Sequence, residues 1–215
     1  MNNFDLQSAL LSLPGLLIAF TVHELCHGLV AYALGDSTAK NDGRLSLNPI
    51  KHIDPIGFLM ILLMGFGWAK PVMVNIHNLK NPKWSMALIA LAGPVSNLIM
   101  AFIGVAVWLS VLFFAGLAND HIAVNMLFHF AWINILLAVF NMLPLPPLDG
   151  SKVFTAWLPD DAYFSFQDML SRWGIPILFI AMLTGVTGRI IRPIMDFILD
   201  SMIFAVVWVL SNGGL

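Results

Sequence analysis

Long apolar runs separated by short polar stretches dominate the chain and predict its helices. The first run covers about residues 8 to 34, the second Lys83 to Leu117, and the third His121 to about Leu143. Each is long enough to cross a bilayer, because about 20 apolar residues in a helix match its hydrocarbon thickness. Two weaker segments follow, at about 173 to 187 and 190 to 210. The pattern predicts an all-α polytopic membrane protein with about four to six transmembrane segments.

The stretch between the first two runs has a different pattern. Residues 44–47 and 71–74 are short β-type pieces, and they predict a small hairpin or sheet. Between them, residues 56 to 68 are apolar but only about 13 residues long, which is too short to span a bilayer. We therefore expect this segment to dip into the membrane as a re-entrant segment or to lie against the protein.

Composition agrees with a membrane protein. Of the 215 residues, 59% are hydrophobic and 10% are charged, and the mean hydropathy is +0.86. The formal net charge of -2 gives no reason to expect a nucleic acid or an acidic substrate, and the single cysteine excludes an internal disulfide. No Lys or Arg precedes the first run, so we expect it to be retained as a span and not removed as a signal peptide. One domain over 1–215 is the simplest organisation, with a core at about 8–158 and C-terminal helices at about 173–210.

The first run contains three ionisable side chains, His23, Glu24 and His27. An unpartnered charge at the centre of a membrane helix costs about 2.5 to 3.5 kcal/mol, so these groups need a partner. On a helix, positions 23 and 27 lie one turn apart and present both imidazoles to the same side. This is the HExxH arrangement, in which two histidines bind zinc and the glutamate acts as general base. Histidines bonded to neighbouring carbonyls are the alternative interpretation.

The basic residues predict the orientation, because short cytoplasmic loops collect Lys and Arg. The stretch from 35 to 83 holds six of the ten, namely Lys40, Arg44, Lys51, Lys70, Lys80 and Lys83. The break at 118–120 has none, whereas Lys152 and Arg172 follow the third run. We therefore expect the N-terminus outside the cell and His27 toward the cytoplasmic side.

A catalytic zinc usually has three protein ligands and an open position, so one ligand is missing. The candidates are Asp149, His52, Asp54, His77, His121 and His129. The predicted topology puts His121 and His129 too far toward the outer side, whereas His52, Asp54 and His77 could fold back from their loop. Asp149 follows a proline-rich turn on the same side as His27, and we favour it. An Asp-Gly turn that caps the next helix would explain the same residue without a metal.

Three motifs together resemble the site-2 protease family of intramembrane zinc metalloproteases. They are His23-Glu24-x-x-His27, Gly93-Pro94-x-x-Asn97 and Asn141-x-x-Pro144-x-Pro146-x-Leu148-Asp149-Gly150, and the stretches 44–49 and 67–72 also resemble compact microbial members. The resemblance covers most of residues 15 to 155. The chain shows no room for an inserted PDZ domain or an appended nucleotide-sensing domain, so we expect no regulation by such modules.

This resemblance implies a function and its residues. His23, His27 and Asp149 would be the ligands of one Zn²⁺ and Glu24 the general base. Asn141 would lie near the substrate carbonyl, and Asn97 would line the cavity. The expected protein is a multi-pass endopeptidase of a microbial cell membrane that cleaves membrane-anchored proteins within or near their transmembrane segments.

Two other classes of protein could use the same residues. A metal or proton transporter also places ionisable groups in membrane helices, and a non-catalytic scaffold could retain a structural zinc. The polar groups gather toward one side of the membrane and form no relay across it, which favours the peptidase. Replacing Glu24 with Gln would distinguish the classes, because only a peptidase must lose its activity.

Overall fold

The computed structural model describes residues 6–64 and 67–212, and within them the chain is almost entirely helical. The α-helices of this part of the chain are α1 (Leu6–Ala33), α2 (Thr38–Asn41), α3 (Pro55–Met64), α4 (Pro82–Ala115), α5 (Ile122–Asn141), α6 (Asp149–Thr155), α7 (Asp160–Leu183) and α8 (Val186–Asn212). Two short 3₁₀ helices, Pro49–Lys51 and Ile76–Asn78, lie in the stretch between α2 and α4.

Four of the described helices are long and apolar enough to cross a membrane. They are α4, α5, α8 and the part of α1 from Leu11 to Ala33. The apolar part of α7, Arg172–Leu183, is shorter than a span. The predicted helical polytopic architecture is thus confirmed at the lower end of its expected number of spans.

Small side chains let the spanning helices pack closely. Ala19 of α1, Ala101 of α4 and Ala131 of α5 are fully buried. α8 covers the α4 and α5 surface with Ile191 and Met195, which belong to the same apolar cluster as Ala101 and Ala131. Because lipid tails are as apolar as these side chains, close van der Waals contact and interhelical hydrogen bonds are what hold such helices together.

The predicted β-hairpin between the first two spans is not supported by the structure. The described residues form no strand there, and a single antiparallel bridge joins Ile53 to Ala69. The buried guanidinium of Arg44 donates instead to the carbonyl oxygens of Lys51 and Lys70. A side chain thus satisfies backbone oxygens that a strand ladder would otherwise use.

Asp36 ties the end of α1 to the segment that leads into α4. Its carboxylate is fully buried and accepts hydrogen bonds from the backbone N–H of Thr38 (3.1 Å), the backbone N–H of Asn75 (2.7 Å) and Nδ2 of Asn78 (2.7 Å). The hydroxyl of Thr38 donates a fourth bond of 2.6 Å. This carboxylate fixes where the segment after residue 70 lies relative to α1.

Candidate metal centre

The helical geometry of α1 brings His23 and His27 together. They lie one turn apart, and their ring centroids are 4.5 Å from each other with the rings nearly perpendicular. Both side chains are buried, at 4% and 8% exposure. The HExxH spacing therefore forms a pair of facing imidazoles inside the protein, as the sequence predicts.

Asp149 meets this pair from the far end of α5. It is the first residue of α6, and its Oδ2 lies 3.1 Å from Nε2 of His23 and 3.2 Å from Nε2 of His27. Gly150 makes the approach possible, because a Cβ there would lie 2.3 Å from the carbonyl oxygen of Met142. The missing side chain lets α6 fold back against the end of α5.

The three side chains have the chemistry and spacing of a zinc site. In the described residues they form one group of His, Cys, Asp or Glu whose candidate ligand atoms lie within 4.8 Å of one another. Zinc bonds of about 2.0 to 2.2 Å to nitrogen and oxygen in a tetrahedron place neighbouring ligand atoms about 3.4 Å apart. The observed separations of 3.1 and 3.2 Å are close to that value. Two imidazoles and one carboxylate therefore fit zinc.

Hydrogen bonds on the far side of each ring point the metal-facing nitrogens inward. Nδ1 of His27 lies 2.6 Å from the carbonyl oxygen of Ile89, and Nδ1 of His23 lies 2.5 Å from Oδ1 of Asn97. Both partners are oxygens that accept, so Nδ1 carries a hydrogen in each ring and Nε2 is the nitrogen left to bind a metal beside Asp149. Burial raises the pKa of the Asp149 carboxyl, but hydrogen bonds and positive charge from the two neighbouring imidazoles, in their protonated form, lower it by more.

Glycine at position 93 of α4 leaves room for the two rings. A Cβ there would lie 2.5 Å from Nε2 of His23 and 2.6 Å from Cε1 of His27. The GPxxN motif thus places backbone, and no side chain, directly against the candidate metal centre. Asn97 of the same motif is fully buried behind His23 and, in the part of the chain that the structure describes, lies outside the cavity lining.

A cavity of about 140 Å³ contains the remaining polar groups. Its lining includes His23, Glu24, His27, Asn141, Asp149 and Lys152, together with apolar side chains and residues 71, 72 and 74. The backbone N–H of Val72 donates a 2.8 Å hydrogen bond to Oε2 of Glu24. This bond orients the carboxylate beside the two histidines without placing it among the candidate ligands.

Asn141 and Lys152 extend the polar lining. Nδ2 of Asn141 donates to the carbonyl oxygen of Leu137 at 2.9 Å, which leaves the second hydrogen of that amide for another acceptor. Nζ of Lys152 lies 4.0 Å from Oδ1 of Asp149, the oxygen that does not face the histidines. The cavity therefore combines a carboxylate, an amide and an ammonium group around the three candidate ligands.

The other ligand candidates have different surroundings in the structure. His52 is buried with Nε2 2.8 Å from the carbonyl oxygen of Ser46, and Asp54 accepts bonds from the first backbone N–H groups of α3. His121 caps α5 by accepting from the N–H of Ala123, and His77 is exposed in a 3₁₀ helix. His129 is partly buried on α5. None of the five belongs to the group around His23.

Sequence reasoning missed Asn134, Lys152 and the contact of Val72 with Glu24. Asn134 is a fully buried amide of α5 that contacts Asn97. One signal was available, because an amide inside an apolar run needs a partner. The identity of that partner depends on the packing of α4 against α5, which no local pattern reveals.

The chain matches the model of a known protein family over most of its length. The family is described as "Peptidase family M50", and the match covers residues 12–181. This range includes α4, α5, α6 and all but the first six residues of α1, and therefore all the residues of the candidate metal centre.

Several relatives carry the words zinc metalloprotease in their names. YwhC of Bacillus subtilis (strain 168) is 41% identical over 199 residues, which is 87% of this chain and 87% of the relative. MJ0611 of Methanocaldococcus jannaschii is 32% identical over 165 residues, covering 73% of this chain and 75% of the relative. Rip2 of Mycolicibacterium smegmatis is 27% identical over 192 residues, covering 84% and 69%. No solved structure matches the chain.

Proposed function

We propose a mechanism for this chain, which belongs to peptidase family M50, the site-2 proteases, and is a zinc metalloprotease with apolar membrane helices. In this proposal the protein is an intramembrane endopeptidase. It hydrolyses peptide bonds within or near the transmembrane segments of membrane-anchored proteins. The observation that carries the proposal is the meeting of His23, His27 and Asp149 beside Glu24 in one cavity among the spanning helices.

His23, His27 and Asp149 hold the zinc ion in this proposal. Nε2 of each histidine and Oδ2 of Asp149 would supply the three protein donors that a catalytic zinc takes. When bound, zinc supplies Lewis acidity, which acidifies a water molecule to a pKa of about 7 and polarises a carbonyl group.

Glu24 is the general base. Its carboxylate takes a proton from the attacking water and later returns it to the leaving amine of the cleaved bond. The hydrogen bond from Val72 holds Oε2, so Oε1 is the oxygen left for this proton. Asn141 and its free amide hydrogen lie in the same cavity and stabilise the carbonyl oxygen as negative charge builds on it.

An extended substrate is required, because a helix hides its peptide carbonyls in its own hydrogen bonds. The segment around residues 71–74 lines the cavity, and its side chains alternate between exposed and half-buried, as in an extended chain. We expect this segment to guide an unwound stretch of substrate past Glu24, as in the addition of a strand to an open edge.

Two further features belong to the proposal. The distribution of Lys and Arg supports an orientation with the N-terminus outside the cell and the active site toward the cytoplasmic side. His27 lies six residues before the end of α1, which corresponds to about 9 Å along the helix. The whole of 1–215 acts as one intramembrane protease domain.

The test is zinc content measured together with cleavage in the same preparations. Purified wild type, Glu24→Gln and Asp149→Ala are reconstituted in liposomes with a membrane-spanning test peptide. We expect Glu24→Gln to retain one zinc per chain and lose cleavage, and Asp149→Ala to lose both. Asp161→Ala, at an exposed position of α7, is the matched control and should retain both.

Three results would overturn the proposal. Stoichiometric zinc in Asp149→Ala would remove this carboxylate from the ligand set. Cleavage by Glu24→Gln at the wild-type rate would show that another group activates the water. Cleavage of a soluble peptide alone, with no cut in the membrane-spanning one, would contradict the intramembrane substrate.

A further inference from the structure

We infer that Asn134 is a positioning residue for the metal centre, which it reaches through Asn97 and His23. It fixes the orientation of the Asn97 side-chain amide, and the amide in turn fixes which nitrogen of His23 carries the proton. The inference rests on the proposed function in one respect, since it takes His23 as a zinc ligand.

The contacts form a continuous chain across three helices. Nδ2 of Asn134 donates to the carbonyl oxygen of Phe130 at 2.8 Å, and Oδ1 of Asn134 accepts from Nδ2 of Asn97 at 2.9 Å. Nδ2 of Asn97 also lies 3.2 Å from the carbonyl oxygen of Ala19, and Oδ1 of Asn97 lies 2.5 Å from Nδ1 of His23. Asn97, Asn134 and Ala19 are all fully buried, so water cannot replace these partners.

The chain has a direction, because its ends are backbone carbonyl oxygens, which can only accept. The carbonyl of Phe130 must take the NH₂ group of Asn134, and this leaves Oδ1 of Asn134 to face Asn97. That oxygen and the carbonyl of Ala19 then both require the NH₂ group of Asn97. Oδ1 of Asn97 is therefore the atom that faces His23.

The orientation of the Asn97 amide determines which nitrogen of His23 can bind a metal. Since Oδ1 of Asn97 accepts, Nδ1 of His23 must carry a hydrogen, and Nε2 is the nitrogen left to bind the metal beside Asp149. If the Asn97 amide were reversed, its NH₂ group would face Nδ1 and favour the tautomer with hydrogen on Nε2. That tautomer cannot bind a metal through Nε2.

His27 does not depend on such a chain. Its Nδ1 donates directly to the backbone carbonyl oxygen of Ile89, and a carbonyl oxygen can only accept a hydrogen bond. The two histidines of the motif are thus oriented in different ways, one by backbone and one by two buried amides. Partners of this kind change metal affinity by about 10- to 100-fold when they are removed.

The test compares zinc affinity in Asn134→Leu and Ile135→Ala. Leucine removes the acceptor for Asn97 at similar volume. Ile135 is a fully buried neighbour in the α4, α5 and α8 cluster, and its truncation lowers stability without touching the amide chain. We expect Asn134→Leu to weaken zinc binding about tenfold or more in a chelator competition, and Ile135→Ala to leave it unchanged.

A second readout follows the proton itself. Nitrogen-15 NMR of labelled histidine distinguishes hydrogen on Nδ1 from hydrogen on Nε2. In zinc-free protein that also carries Asp149→Ala, which leaves no carboxylate to take a hydrogen from Nε2, we expect His23 to lose its Nδ1–H tautomer in Asn134→Leu and to retain it in Ile135→Ala. Asn134→Asp supplies rescue, because a buried neutral carboxylic acid can accept with one oxygen and donate with the other, so zinc affinity should stay near that of the wild type.

Several outcomes would overturn the inference. These are wild-type zinc affinity in Asn134→Leu, an unchanged His23 tautomer, or equal losses in Asn134→Leu and Ile135→Ala. Asn134→Ser, whose hydroxyl is too short to reach Asn97, replaces Asn134→Leu if the latter fails to fold. The ligand assignment is tested separately by His23→Ala, because full zinc affinity in that variant would contradict the proposed function and not only the role of Asn134.

Discussion

The backbone N–H of Val72 donates a 2.8 Å hydrogen bond to Oε2 of Glu24, across 48 residues of sequence. Val72, which lies in the segment between α3 and α4, thereby orients the candidate general base Glu24 of α1. Proline at position 72 removes this donor, whereas alanine keeps it. We expect Val72→Pro to slow cleavage about 10- to 100-fold, as the loss of a hydrogen bond to a charged group predicts, with zinc retained.

Val72→Ala is the control for the lost side chain and should cleave much faster than Val72→Pro. Initial rates on the membrane-spanning peptide and zinc content per chain check both statements. Equal rates in the two variants would show that the hydrogen bond has no part in the reaction.

Gly93 offers a test of the space around the candidate metal centre. A Cβ would lie 2.5 Å from Nε2 of His23, so we expect Gly93→Ala to push the imidazole out of position and weaken zinc binding about tenfold or more. Gly188→Ala is the matched control, since a Cβ there meets nothing within 4 Å in the described structure. In α8 the extra methyl should raise helix stability by up to about 1 kcal/mol. Unchanged zinc affinity in Gly93→Ala would contradict the observed closeness of α4 to the histidines.

Asp36 predicts a pH dependence of stability. Burial raises the pKa of this carboxyl, but the hydrogen bonds from Thr38, Asn78 and Asn75 lower it by more, so it lies below its ordinary value of 3.8. A group with a lowered folded-state pKa stabilises the protein above the ordinary pKa and loses this effect as the pH falls through the folded-state pKa. Asp36→Asn, which imitates the protonated side chain, should therefore lower the unfolding temperature at pH 7.

The difference between wild type and Asp36→Asn should then shrink as the pH falls below 3.8. Thermal unfolding in one detergent at pH 7, 5 and 3 measures it, with Asp42→Asn at an exposed position as the control. A difference that stays constant over this range would show that the charge of Asp36 contributes nothing.

Metal removal should destabilise the protein reversibly. A ligand that binds only the folded state adds about 2.7 kcal/mol to the free energy of unfolding when its free concentration is about 100 times its dissociation constant. We therefore expect zinc, added to chelator-treated Glu24→Gln protein, to raise the unfolding temperature by about 5 °C or more. Magnesium should have little effect, because it prefers oxygen ligands and two of the three donors are imidazoles. An equal response to both ions would contradict the assigned donor set.

Local geometry explains why part of the candidate site could be predicted from the sequence. The one-turn spacing of His23 and His27 fixes their common direction once the helix forms, so their meeting requires no tertiary information. Asp149 could be favoured because the order of spans brings it to the same side as His27. Both expectations agree with the ligand atoms found 3.1 and 3.2 Å apart.

Other features depend on contacts that no local pattern encodes. Residues 44–47 have the composition of a strand, but Arg44 binds the carbonyl oxygens of Lys51 and Lys70, and the predicted hairpin is not supported. The role of Asn134 likewise appears only when α4 and α5 pack. The apolar runs predicted the spans well, because length and hydropathy decide that question directly.

The order of the chain also has a consequence for its synthesis. Asp149 follows His23 by 126 residues, and it meets the histidines only after α5 has formed and α6 has folded back. With the ligands proposed above, a growing chain inserts α1, α4 and α5 into the membrane before its third donor exists. On that ligand set, the nascent polypeptide has no complete metal centre until residue 149 has been translated.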